Sequence, residues 1–147
     1  MKVRSRIRYL LAATSLFAAG TLTAVAPAAN AETLSFEYLH GGAGEPYEQW
    51  LIVAYHNGDY AGEVIWNKDP WDWNPGDAFK VTDDLADGWG LTATLDTGRT
   101  ASTVGHSSPY DTGWVKGDLI EGSKHTMRLT FWKGGSFANS NYVTVSA

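Results

Sequence analysis

Beyond residue 31 the apolar residues recur with a period of two, and that alternation limits the fold more than any other feature. In HTMRLTFW, Met127, Leu129 and Phe131 fall on one side, with Thr126, Arg128 and Thr130 on the other. LTATLD repeats the pattern through Leu91, Ala93 and Leu95, AFKVT through Phe79 and Val81, and TLSFEYL through Leu34, Phe36 and Tyr38. Successive side chains of a strand point to opposite faces, so this period marks half-buried strands. QWLIVAYH is a denser apolar run; Asn57-Gly58 follows it as a tight hairpin turn, with AGEVIW as the return strand. NYVTVS, with Tyr142, Val143 and Val145, supplies the last strand. No window of eleven or more residues after Ala31 carries a helical stripe. Glycine and proline fall mostly between the runs, as turn residues do. The expected fold is all-β, an antiparallel β-sandwich or small barrel of about seven to eight short strands in one domain.

The first 31 residues read differently. Lys2, Arg4, Arg6 and Arg8 form a basic head, an apolar run extends from Tyr9 to about Val25, and Ala29-Asn30-Ala31 is a small-residue cleavage box. That order is the signature of a secretory signal peptide. Thr14, Ser15, Gly20, Thr21 and Thr23 interrupt the apolar run, which argues against a transmembrane anchor. The arginines are never adjacent, against twin-arginine export. The expectation is a leader over 1–31 and a secreted, extracellular domain over 32–147.

Cleavage there would leave 116 of the 147 residues, enough for one domain. The leader holds four of the eleven basic residues and none of the sixteen acidic ones, so seven against sixteen remain, a net charge of −9. An acidic surface repels phosphate backbones and anionic lipid heads, which argues against nucleic-acid and membrane partners. The chain has no cysteine, so burial must supply stability that small exported domains commonly draw from disulfides. All seven tryptophans lie beyond residue 31, and aromatic burial is the expected main stabilising contribution. The segment from Glu32 to about Pro46, ending in HGGAGEP, is either a loose arm, an edge strand of its own domain, or a strand donated to a partner.

WNKDPWDWNPGD, Trp66–Asp77, sets three tryptophans among Asp, Asn and Pro. Pro70 and Pro75 stiffen the flanks by fixing φ. Trp71 and Trp73 are one residue apart and would point the same way in an extended segment. Two ring faces beside Asp69 and Asp72 suit stacking on a sugar, with carboxylates for its hydroxyls. The same residues suit a protein contact, where tryptophan is over-represented. The third reading folds the loop back so that its rings cap the sandwich, with a mixture of buried Trp66 and exposed Trp71 or Trp73 also allowed. The binding candidates are Trp66, Asp69, Trp71, Asp72 and Trp73, together with Trp89.

Other clusters have plainer readings. Asp83, Asp84 and Asp87 before Gly88 resemble a calcium loop, but Leu85 stands where an acid is required and no glutamate closes the site. A turn capped by Asp83 and reversed at Asp87-Gly88 accounts for the stretch. Asp69, Asp72 and Asp77 could be paired as a glycosidase acid and base. His106, Ser107, Ser108 and Asp111 invite a triad reading, but no G-x-S-x-G elbow is present. His40, His56 and His125 show no metal-ligand spacing. No catalytic set, metal or cofactor is expected.

GDAFKVTDDLADGWG, then TGRTAS and TGWVKGDLIEGSKHTMRLTFWKGG, is similar to a group of small exported actinobacterial proteins. Their pattern runs G-x-x-F-x-V-x-D-x-x-A-D-G, met here by Gly76, Phe79, Val81, Asp83, Ala86, Asp87 and Gly88. A Glu-Gly turn follows in that group, met here by Glu121-Gly122 before the strand of Met127, Leu129 and Phe131. The likeness covers about Gly58 to Gly135. Many of that group carry a cysteine pair near the last strands, which this chain lacks. The resemblance implies an exported β fold. Some proteins of this kind are adaptors in extracellular umbrella toxin particles, which this chain resembles in size, export signal and β-content.

Together these readings lead to a non-enzymatic secreted module that binds an extracellular protein partner as an adaptor. Trp66–Trp73 is the expected contact surface, with Thr33–Leu39 available for β-augmentation. The alternatives are a lectin-like module that takes a glycan on the tryptophan loop, and a small secreted hydrolase. A protease inhibitor fits the size but lacks a rigid disulfide-clamped loop.

Overall fold

The computed structural model describes residues 31–42 and 47–147, so the leader over 1–31 and residues 43–46 of the N-terminal arm lie outside the described residues, save Ala31. Ten strands run in order: β1 (Leu34–Gly41), β2 (Gln49–His56), β3 (Asp59–Asn67), β4 (Ala78–Asp83), β5 (Gly90–Leu95), β6 (Thr100–Ser102), β7 (Tyr110–Asp111), β8 (Lys124–Lys133), β9 (Ser136–Asn139) and β10 (Val143–Ser146). The described residues contain no helix. Seven of these strands are the ones expected from the sequence, whereas β6 and β7, of three and two residues, are too short to show a period.

The strands make two antiparallel sheets of five, a single-domain β-sandwich. One sheet has the order β1-β2-β3-β4-β7. In the other, β8 is central, β5 and then β6 lie on one side, and β9 and β10 share the opposite edge. β1 pairs with all eight residues of β2, so the N-terminal strand is an edge strand of its own domain. Asn57 and Gly58 both take positive φ at the β2–β3 hairpin, as a two-residue turn demands.

Alternation places Ile52, Ala54, Val64, Trp66, Phe79 and Val81 of the first sheet against Leu91, Ala93, Leu95, Met127, Leu129, Phe131, Val143 and Val145 of the second. Trp66 is fully buried, stacks at 6.4 Å on Phe79, and donates its indole N–H to the Ser146 carbonyl of the opposite sheet at 3.1 Å. That bond satisfies the one polar atom a buried indole brings with it. Trp66 is therefore a core residue, which corrects its place among the binding candidates. Tyr142, read as part of the last strand, stays exposed ahead of β10.

Gly62 sits where the β2–β3 register shifts at Ala54/Tyr55 and pairs with Asp83 of β4. A Cβ there would collide with the Thr82 carbonyl and with Leu91, so only glycine lets the bulged strand lie so close.

Candidate functional site: a rigid tryptophan hairpin

The β3–β4 connection, Lys68–Asp77, is held at its base by polar groups the sequence places just inside the strands. Asn67 is fully buried and donates its amide to the carbonyls of Asp69 (2.8 Å) and Pro75 (2.6 Å), tying the outgoing limb to the returning one. Gln49 completes that amide by donating to its oxygen at 3.2 Å. Asp77 N–H bonds the Lys68 carbonyl at 2.7 Å, and Lys68 N–H bonds that of Glu48 at 3.1 Å. The Asp77 carboxylate accepts Leu119 N–H at 2.9 Å, and its carbonyl accepts Arg99 Nη1 at 2.7 Å. Buried polar groups that find partners fix a backbone rather than merely tolerate it, and of those here only Arg99 Nη2 has none.

On this base stands a tight reversal. Trp71 and Asn74 exchange backbone hydrogen bonds of 3.1 and 3.0 Å, with Asp72 and Trp73 between them. Asp72 takes φ +56°, a left-handed conformation that Asp tolerates better than most residues. The segment is thus a turn, so the expectation that Trp71 and Trp73 project together from an extended chain does not hold. Trp73 sits at the tip with 91% of its surface exposed. Trp71 is 52% exposed and leans on Tyr47, with ring centroids 5.9 Å apart and planes at 45°. Asp72 is exposed, and Asp69 lies 3.9 Å from Lys68.

The other predicted residues go elsewhere. Trp89 is 9% exposed, edge-on to Phe131 at 5.8 Å, and donates its indole N–H to Glu32 at 3.2 Å. It belongs to the opposite end of β4 from the hairpin, where it lines a surface cavity, so it is not part of the same surface. The acids read as a turn do not gather. Asp83 also points inward, accepting hydroxyls from Thr103 (3.1 Å) and Ser108 (2.8 Å), with the Leu85 N–H of the turn as a weaker partner. Burial holds its carboxyl above the ordinary value, with those two hydroxyls opposing the shift. Asp87 takes Trp89 N–H at 2.8 Å and faces His56 at 2.6 Å.

The catalytic sets considered from sequence are dispersed as well. Ser108 gives its hydrogen to Asp83, His106 lies flat on Tyr110 at 3.8 Å, and Asp111 pairs with Lys80 at 2.9 Å, so no histidine faces a serine in GHSSPYD. Asp77, imagined as one member of a carboxylate pair, is buried and tied to Leu119.

Sequence reasoning missed a second exposed aromatic group. Trp132, 39% exposed, packs at 5.3 Å against Phe137, its partner across the β8–β9 hairpin, itself 59% exposed. The signal was present: alternation with Phe131 inward puts Trp132 outward, where an indole has no reason of folding to be. No known protein family, curated protein or solved structure matches the chain.

Proposed function

We propose that this protein is a non-enzymatic secreted adaptor that grips an extracellular protein partner with the Trp71–Trp73 hairpin. The observation that carries the reading is Trp73: an indole almost wholly in water, at the tip of a loop whose base is fixed by buried hydrogen bonds. Covering one indole removes ~150–250 Å² from water, roughly 4–6 kcal/mol at ~25 cal/mol per Å² before association costs. A rigid tip gives up little conformational freedom on docking, so more of that gain survives. Aromatic anchors of this kind dominate measured interfaces. A protein pocket suits the hairpin better than a flat sugar, because Trp71 turns toward Tyr47 and Trp73 stands apart, whereas a stacking platform needs its rings to share a plane. The open outer edge of β1 offers backbone N–H and C=O groups as a secondary contact. An adaptor role in an extracellular assembly fits the likeness in size and β-content to adaptors of that kind.

The test is affinity capture from the producing culture's medium with the tagged protein and with the Trp71→Ala/Trp73→Ala variant, followed by mass spectrometry. A protein recovered in stoichiometric amount by the first and lost with the second supports the reading. Identical recoveries from both, or none from either, overturn it.

A further inference from the structure

At the opposite end of β4 from the hairpin lies a cavity of about 780 Å³, within the ~300–1,000 Å³ typical of small-ligand sites. It is built by four separate segments: the β4–β5 turn, the exposed face of β5 and β6, the β6–β7 loop, and the β8–β9 hairpin. Its floor includes Gly90, where an added Cβ would meet the Val104 backbone at 2.9 Å, so the loop closes here only because that side chain is missing. Five of the sixteen lining residues are glycines, which leaves backbone N–H and C=O groups reachable by an occupant. None of the sixteen is Asp or Glu.

We propose that this cavity is a carbohydrate site that takes a neutral pyranose unit against Trp132, with the Thr92–Ser102 hydroxyl pair bonding its hydroxyls. Three features point to that chemistry. Trp132 offers an aromatic surface of the kind the C–H face of a pyranose meets, since those hydrogens are slightly positive and the π-face is negative. Thr92 Oγ1 and Ser102 Oγ lie 2.7 Å apart across the β5–β6 pair. One hydroxyl donates to the other, leaving one O–H and free lone pairs, a donor and acceptors side by side as a diol requires. Ser102 Oγ also accepts Val104 N–H at 3.3 Å, which ties its position to the loop.

Charge selects against anionic sugars. Lys133, the one lysine of the lining, already bonds Glu32 at 3.0 Å and sits 5.3 Å over the Trp89 ring. Its charge is compensated, and the excess of acid over base in the rest of the chain repels an anion. A purely apolar ligand is disfavoured because it would strip water from the hydroxyl pair without replacing those hydrogen bonds.

The site is independent of the hairpin, so the two readings fail separately. The experiment is a titration of the ¹⁵N-labelled protein with cellobiose, chitobiose, mannobiose and lactose, following indole N–H signals by NMR. The expected result is a saturable shift of the Trp132 and Trp89 indoles with at least one disaccharide. Affinity should fall about tenfold or more in Trp132→Ala and in the Thr92→Val/Ser102→Ala variant, and stay unchanged in Trp73→Ala. The same spectra show whether each variant is folded. The proposal is overturned if no disaccharide moves Trp132, if the shifts fall on Trp71 and Trp73 instead, or if both cavity variants bind as well as the parent.

Discussion

Asp87 holds His56 and Trp89 with one carboxylate: Oδ2 lies 2.6 Å from His56 Nδ1, and Oδ1 accepts the Trp89 backbone N–H at 2.8 Å. His56 ends β2 and Trp89 leads into β5, so this side chain ties one sheet to the turn that enters the other. Asp87→Ala leaves a buried imidazole and a backbone N–H without their partner, at an expected cost of about 2–4 kcal/mol. Urea denaturation measures it. A loss under about 0.5 kcal/mol would mean water replaces the carboxylate without penalty.

The tryptophans divide sharply by role, and stability should divide them the same way. Trp73→Ala is expected to change unfolding free energy by less than about 0.5 kcal/mol, because its ring has almost no native contacts to lose. Trp66→Ala empties the centre of the sandwich and frees the Ser146 carbonyl, costing about 3–5 kcal/mol. Thermal unfolding of the pair decides the matter. A comparable drop from Trp73→Ala would make the tip a structural cap and remove the basis for a contact loop.

Rigidity of the hairpin rests on Asn67. Replacing it with Ala removes two donors from the Asp69 and Pro75 carbonyls and leaves Gln49 facing nothing, an expected loss of about 1–3 kcal/mol. The loop should also become cleavable between Lys68 and Asp77 under limited proteolysis, while the strands stay protected. Unchanged cleavage would show that the Trp71–Asn74 turn holds itself together without its base.

The β-sandwich was legible because a period of two survives in most of the long strands, and Leu129 or Phe131 could be assigned by counting alone. The hairpin was legible as a loop from its Asp, Asn and Pro residues. Its shape was not, because the reversal depends on Asp72 accepting φ +56°, and no composition rule dictates which Asp does so. Only half of the role of Asp83 was legible, for a related reason. DDLADG resembles a turn, but the strand continues through Asp83, and its inward partners, Thr103 and Ser108, lie 20 and 25 residues away. The Trp132 cavity was invisible because four segments distant in sequence enclose it, although the outward position of Trp132 itself could have been read.

Asp83 also gives the fold a specific pH dependence. Burial raises its carboxyl above the ordinary value; the Ser108 and Thr103 hydroxyls pull it back only in part, and the charge of Asp87 adds to the rise. The folded chain therefore keeps this proton to a higher pH than the unfolded chain does. As pH climbs from about 4 through the raised folded value, the unfolded state sheds the proton first and stability falls, then stays level above that window. Asp83→Asn cannot ionise and should not show this loss, while its amide still offers an oxygen to one hydroxyl and an N–H to the other. Unfolding free energies of both proteins, measured by denaturant from pH 4 to 8, should diverge in favour of the variant across the window and run parallel above it. Subtracting the two curves removes the opposite contributions of Asp96 and Asp111, whose carboxyls are held below the ordinary value. A difference that is flat throughout would mean Asp83 is as well solvated in the native protein as in the unfolded chain, and one that grows in favour of the parent would mean its hydroxyl partners outweigh its burial.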